Sequence, residues 1–374
     1  MKSRNSITNN AQTLVKNEVS SLPKYIPGLP EEVVRQRHRL DHIARLASNE
    51  NPFGTGEPAI KATAAALSNL WRYSDPDSTA LRQALSERTG VDLENIVVGN
   101  GSEDLICLLC RACVRHGERV ITVHPAFPLH EIYPLEQGAE VVSVPMTTGF
   151  KFDIQAIVSE LKKGCKLLFI SNPSNPVGTI LNADDLDQIS RAATASTLII
   201  IDEAYYEYVA GSKDFGDSLM ILRNNGNPHV VLRTFSKAYG LAGIRVGYGL
   251  FSDGWLAQQI NKLRTPFNVN LLAQAAATAA LGDYAHLAAT ISHNQKERVR
   301  VNDILRGRGY TVAPSWANFL FVDCRKDSRE IAKKLETGGV IVKPWTAPGY
   351  ECFIRVTIGK REDNDRFLQL FTSR

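Results

Sequence analysis

The stretch RTFSKAYGLAGIRVGY, residues 233–248, sets one lysine, Lys237, among small and apolar side chains. Ser236 precedes it, Arg245 follows, and glycines at 240, 243 and 247 are expected to interrupt any regular helix or strand. A lysine in a tight, poorly solvated segment loses proton affinity, because burial disfavours the charged form. A neutral amine is a nucleophile and can form a Schiff base with an aldehyde. The ordinary alternative is a lysine whose stem packs while its head reaches water. The residues gathered around it by the fold decide between the two.

Working outward, apolar runs of strand length alternate with helical spacing. The runs are NIVVG (95–99), RVITVH (119–124), AEVVSVP (139–145), KLLFIS (166–171), TLIIID (197–202) and HVVLRTF (229–235). Between them EDLICLLCRACVRHG, LHEIYPLEQG and ADDLDQISRAATAS read as helices ending on glycine or polar residues. Near-continuous branched runs suit strands buried on both faces, so the class is α/β: a large domain with a mostly parallel sheet flanked by helices. From residue 279 the texture changes to a long polar helix and short alternating strands, NFLFVDC and FIRVTIG, which predict a smaller α+β domain. The expected division is 1–46 for an N-terminal tail and lid segment partly joining the small domain, 47–278 for the large domain and 279–374 for the small one.

Bulk properties narrow the function. The chain has 374 residues, 44% hydrophobic and 22% charged, with a net charge of +4. That is an ordinary globular balance, without the concentrated basic face of a nucleic-acid binder. No apolar run approaches the ~20 residues of a membrane span. The polar amino terminus lacks the apolar core of a secretory signal, so a cytoplasmic protein is expected, with its first fifteen or so residues a flexible tail. Cys107, Cys110, Cys113 and His116 follow at intervals of three, which suggests a metal site. On a helix, however, they fan across about half the cylinder and do not converge on one ion.

Five predicted strand ends carry polar or aromatic groups: NGSED, HPAF, NPSNPVG, DEAY and TFSK. In open α/β sheets ligands sit beyond such ends. Asp202 closes the run LIIID, where a carboxylate can hold a proton on a heteroaromatic nitrogen. A magnesium-binding acid of a nucleotide hydrolase would need a G-x-x-x-x-G-K-[ST] loop, and the sequence has none. Gly99-Asn100-Gly101-Ser102 forms a strand-to-helix turn suited to one phosphate, with Ser236 and Arg245 available. It departs from the dinucleotide fingerprint because Asp104 occupies the last position. Asn175 lies in a proline-stiffened loop, and Phe127 offers either core packing or a stacking face. Arg355 interrupts an apolar strand, a setting in which a guanidinium wants a carboxylate, internal or ligand-borne.

NPSNPVG, DEAY and TFSKAYGLAGIRVGY, in that order, resemble the fold-type I pyridoxal-phosphate aminotransferases. ASNENPFG, RYSDPDSTALRQAL, GNGSED, IRVTIG and the amino-terminal PKYIPGLPEEV are similar to the histidinol-phosphate aminotransferases within that group. The resemblance covers the chain from about residue 22 onward. It implies that Lys237 holds pyridoxal 5′-phosphate and then carries a proton at the substrate's Cα. Asp202 would pair with the pyridine nitrogen, and Tyr205 and Asn175 would bond the ring's phenolic oxygen. Phe127 would stack on the ring, where the family more often has tyrosine. Ser102 and Glu103 (main-chain groups), Ser236 and Arg245 would bind the phosphate, and Tyr73 would reach the phosphate of a neighbouring subunit in a homodimer. Arg355 would clamp the α-carboxylate of the glutamate donor and meet the substrate phosphate in the other half-reaction. Lys343 stands where the histidinol-phosphate enzymes often show arginine, Tyr25 and Asn51 would line the lid and the acceptor pocket, and Trp345 is unplaced. The partners implied are a small amino donor and a keto acceptor. Two other readings stay open: a sister activity on the same scaffold, either an aromatic or other amino-acid aminotransferase or a threonine-phosphate-type decarboxylase, and a cofactor-retaining protein whose role is regulatory binding.

Overall fold

The computed structural model describes residues 14–26 and 28–373, so the tail read from the sequence lies almost wholly outside the described residues. Strand β1 (Ala44–Arg45) is followed by β2 (Ile96–Gly99), β3 (Arg119–His124), β4 (Glu140–Pro145), β5 (Leu167–Ser171), β6 (Leu198–Asp202), β7 (His229–Thr234) and β8 (Gly247–Phe251). The seven from β2 to β8 form one sheet in the order β2-β8-β7-β6-β5-β3-β4. Pairing is parallel from β7 through β4, while β8 runs antiparallel to both of its neighbours. All six strand-length runs in this part of the sequence appear as strands, within a residue at each end.

The central strands are buried on both faces, and alternation sorts their side chains into two cores. On β6, Ile199 and Ile201 enter one core, while Leu198 and Ile200 enter the other with Leu105, Leu109 and Phe169. A polar side chain at such a position needs a buried partner, as Arg233 on β7 has in Glu203, and β6 stays aliphatic until its end, where Asp202 appears.

Strand β8 corrects the sequence reading. Gly247 was expected to break regular structure, yet it opens a strand that Gly249 continues. The glycine is required by proximity: a Cβ at 247 would stand 2.3 Å from the Ser102 amide nitrogen. Low β-propensity hid the strand, and close backbone approach explains it.

The remaining strands, β9 (Phe319–Asp323), β10 (Val340–Ile341), β11 (Lys343–Pro344) and β12 (Phe353–Thr357), build the smaller body. β11, β12 and β9 form an antiparallel sheet, and β10 pairs with β1. Alternation makes β9 two-faced: Leu320 and Val322 enter the small core, whereas Phe319 and Phe321 belong to the large one. The long helix Tyr284–Gly307 is likewise shared, with Leu287 in the large core and Val301 and Leu305 in the small one. The second core also takes in Ala44 and Leu46 from the start of the chain. Among the described residues no helix is long and apolar enough to cross a membrane. Cys107, Cys110 and Cys113 do lie on one helix, Ser102–Cys113, with Cys110 buried in the core and His116 beyond the helix end.

Candidate active site

The carboxyl ends of β2, β5, β6 and β7 face the β11–β12 hairpin across a cavity of about 300 Å³. Its lining contains Ser102, Glu103, Phe127, Asn175, Asp202, Tyr205, Ser236, Lys237, Arg245, Lys343, Arg355 and Tyr25. Twelve of the site residues read from the sequence thus meet in one place. Asn51 and Tyr73 do not line it.

Lys237 leaves the turn after β7 and its Nζ donates to the Ser48 carbonyl at 2.9 Å. Burial, followed by the nearby Arg355 charge, lowers its pKa from 10.5 to about 8. About a tenth of the amine is then neutral at pH 7, against well under a thousandth for a free lysine, so burial favours a reactive amine at this position. Asp202 is buried at the end of β6 and accepts the Ala204 amide at 3.1 Å through Oδ1. Its Oδ2 lies 3.2 Å from His130 Nε2. His130 is itself fixed by stacking on Phe169, with centroids 5.0 Å apart, and by an edge contact to Phe127.

At the opposite end of the cavity the helix Ser102–Cys113 starts without any side-chain cap. Its amino-terminal amides and dipole make an anion site. Gly101, at φ 90°, lets Arg245 approach: a Cβ there would lie 2.7 Å from Arg245 Nη2. Arg245 Nη1 donates to the Ala242 carbonyl at 2.9 Å and reaches Ser236 Oγ at 3.5 Å. The Glu103 carboxylate is turned to the Tyr133 hydroxyl, which donates to it at 2.7 Å.

The third wall comes from the small body. Lys343 and Arg355 are direct cross-strand partners on β11 and β12. Arg355 Nη1 donates to Asn175 Oδ1 at 2.5 Å and Nη2 to the Ala47 carbonyl at 2.7 Å. Lys343 Nζ donates to the Ile26 carbonyl at 2.5 Å. Burial lowers the pKa of both, and among the described residues neither forms an ion pair with an aspartate or glutamate. The guanidinium that wanted a carboxylate has found only neutral oxygens. Trp345 packs beneath it, with its ring centroid 6.0 Å from Arg355 Cζ.

Asn51 departs from expectation. Its amide donates to the Ala238 carbonyl at 2.8 Å and to Thr290 Oγ1 at 3.1 Å, which turns it into the protein. Asn49, two residues earlier, lines the cavity instead and donates to the Tyr205 hydroxyl at 2.8 Å. Burial pushes the Tyr205 pKa up to about 12. Tyr73 is 82% exposed and stacks on Phe267. Sequence reasoning also passed over His130. Its signal was a polar residue three positions after Phe127, at the start of a helix.

A mostly parallel sheet holding a desolvated amine, a buried carboxylate and an anion-binding helix start at one edge defines a group-transfer enzyme with an aldehyde-type cofactor site. Residues 41–371 match the family described as aminotransferase class I and II, and the chain belongs to that family. It is 42% identical over 359 residues to histidinol-phosphate aminotransferase 1 of Mesorhizobium japonicum, covering 96% of this chain and 97% of that one. It is 43% identical over 355 residues to histidinol-phosphate aminotransferase 3 of Rhizobium meliloti, covering 95% of each. Among solved structures it resembles a histidinol-phosphate aminotransferase from Sinorhizobium meliloti in complex with pyridoxal-5′-phosphate, with a TM-score of 0.86, 30% identity and 96% of both chains covered.

Proposed function

We propose that this protein is a pyridoxal-phosphate-dependent aminotransferase acting on histidinol phosphate and 2-oxoglutarate, yielding imidazole acetol phosphate and glutamate in histidine biosynthesis. The observation that carries the substrate reading is the Lys343–Arg355 pair: two cations side by side on one cavity wall without a carboxylate between them. A phosphate, or a dicarboxylate, supplies the missing negative charge.

The residues present fit the cofactor. Ser171 Oγ and Arg355 Nε are buried polar atoms without partners, and both residues line the cavity. The bare glycines at 101 and 247 open the phosphate end. When bound, pyridoxal phosphate supplies an aldehyde for an amine and a cationic ring that draws electron density from the substrate's Cα. Ser102, Ser236, Arg245 and the helix amides would hold its phosphate. Asp202, oriented by His130 and the Ala204 amide, would keep a proton on the ring nitrogen. Phe127 would cover the ring face. Arg355 occupies Asn175 Oδ1, so the Asn175 amide NH₂ remains to donate toward the ring oxygen beside Tyr205. Lys237 would hold the aldehyde and, once released, take up and return the Cα proton. Its lowered pKa suits that exchange.

The same reading makes the protein a cytoplasmic homodimer in which Tyr73 of one subunit completes the phosphate site of the other. Its high exposure, away from its own cavity, supports this. The test is a half-reaction screen. The yellow holoenzyme is mixed separately with histidinol phosphate, phenylalanine, threonine phosphate and glutamate, and the loss of visible absorbance is followed. A preference of about 100-fold for histidinol phosphate over phenylalanine is expected. Equal rates would refute the assignment, and absence of turnover with glutamate would return the binding-only reading.

A further inference from the structure

Asn49 lies outside every role assigned so far, yet its four polar groups are all engaged. Its Nδ2 donates to Tyr205 Oη at 2.8 Å. Its Oδ1 accepts from Thr357 Oγ1 at 3.1 Å, and its backbone N–H donates to that same oxygen at 3.0 Å. Its carbonyl accepts from Asn318 Nδ2 at 2.9 Å. The backbone stands at φ 57°, a conformation tolerated by asparagine better than by most residues.

The orientation of the amide follows from hydrogen accounting. Thr357 is buried, and its hydroxyl oxygen already accepts the Asn49 N–H. Its hydroxyl hydrogen needs an acceptor, and Asn49 Oδ1 is the one within reach. Reversing the amide would leave that hydrogen buried without a partner. Nδ2 therefore faces Tyr205 and occupies a lone pair of the phenol oxygen. The phenol's own hydrogen cannot then go to Asn49, and the free direction for it is the cavity that Tyr205 lines.

We propose that Asn49 is the positioning residue that fixes Tyr205 as a hydrogen-bond donor into the cofactor site, with Thr357 holding Asn49 in register. Thr357 shares a face of β12 with Arg355, so the strand that binds the substrate's anionic group also sets the polarity of the phenol. The inference rests on the cofactor reading above. A donor to the cofactor's phenolic oxygen stabilises the form in which negative charge collects there. Losing that donor raises the pH at which the bound cofactor's visible absorption titrates.

The experiment compares that midpoint in holoenzyme carrying Asn49→Asp, Tyr205→Phe, and both. Asn49→Asp keeps the size and the acceptor for Thr357 but replaces the donor facing Tyr205 with an acceptor, which draws the phenol hydrogen away from the cavity. Each single change is expected to raise the midpoint by about one to two pH units. The double variant should match Tyr205→Phe alone, because Asn49 acts through that hydroxyl. Additive shifts would mean that the new carboxylate acts directly on the cofactor, and an unchanged midpoint in Asn49→Asp would mean that it does not orient the phenol; either overturns the proposal. Should Asn49→Asp fail to fold, Thr357→Val against Thr357→Ser serves the same purpose. The valine variant is expected to raise the midpoint and the serine variant to restore it, and equal midpoints in the two overturn the proposal. Absence of any visible cofactor band in the unsubstituted protein would instead refute the cofactor reading itself.

Discussion

Replacing Lys343 by alanine tests the substrate reading most directly. The ammonium is half-buried, bonded among the described residues to the Ile26 carbonyl alone, and sits opposite Arg355 across the hairpin. Unit charges about 4 Å apart at an effective dielectric constant near 20 interact by about 4 kcal/mol. Partial exposure of Lys343 and the remaining Arg355 charge reduce the net loss to about 2 kcal/mol, or roughly a 30-fold rise in KM for a phosphorylated donor. The loss belongs in KM because the phosphate is held equally in the ground and transition states. Steady-state kinetics with histidinol phosphate and with a non-phosphorylated aromatic amino acid separate the cases. The expected result is a large KM effect for the first and less than about a threefold effect for the second. Equal effects on both donors would show that Lys343 supports the hairpin rather than the phosphate. No effect on either would remove the phosphate argument.

Four further outcomes are expected. Capture of pyridoxal phosphate by the apoprotein, read as borohydride-fixed label on Lys237, should accelerate with pH through a midpoint of about 8, where the amine loses its proton; a midpoint near 10.5 would refute its desolvation. The sign extends to stability. Because the folded pKa lies below the unfolded one, Lys237→Met should stabilise the apoprotein most below pH 8, and the gain should shrink as pH rises toward 10.5, measured by denaturant unfolding. Gly247→Ala drives a methyl to within 2.3 Å of the Ser102 amide and should destabilise by about 1–3 kcal/mol while weakening cofactor binding, read by thermal melts and cofactor titration. Mixing inactive Lys237→Ala subunits with subunits impaired by Tyr73→Phe should restore some activity if Tyr73 serves the neighbouring site; no recovery in a confirmed mixed dimer would refute the shared site.

Much of the site was legible because its residues sit where a physical rule forces a change of character. A run covered on both faces is mostly apolar, so Asp202 at the end of LIIID and Lys237 in the turn after HVVLRTF stand out against their neighbours. What stayed hidden had no such contrast. β8 is a strand of glycines whose reason is the approach of another backbone. Asn49 and Asn51 share one short polar run, and which of the two faces the cavity is set by Thr357 and Thr290, each more than 200 positions away.

The amino-acid sequence by itself determined the alternating α/β layering and the chemical identity of the amine, the acid and the glycine turn at residues 99–102, because periodicity and residue type are local properties. Only the tertiary structure decided that Lys343 and Arg355 stand as adjacent cations with no carboxylate partner among the described residues, that His130 backs Asp202, and that Asn49 rather than Asn51 touches Tyr205. Those are matters of register and of which buried hydrogen lacks another acceptor, and both are fixed only when distant strands meet.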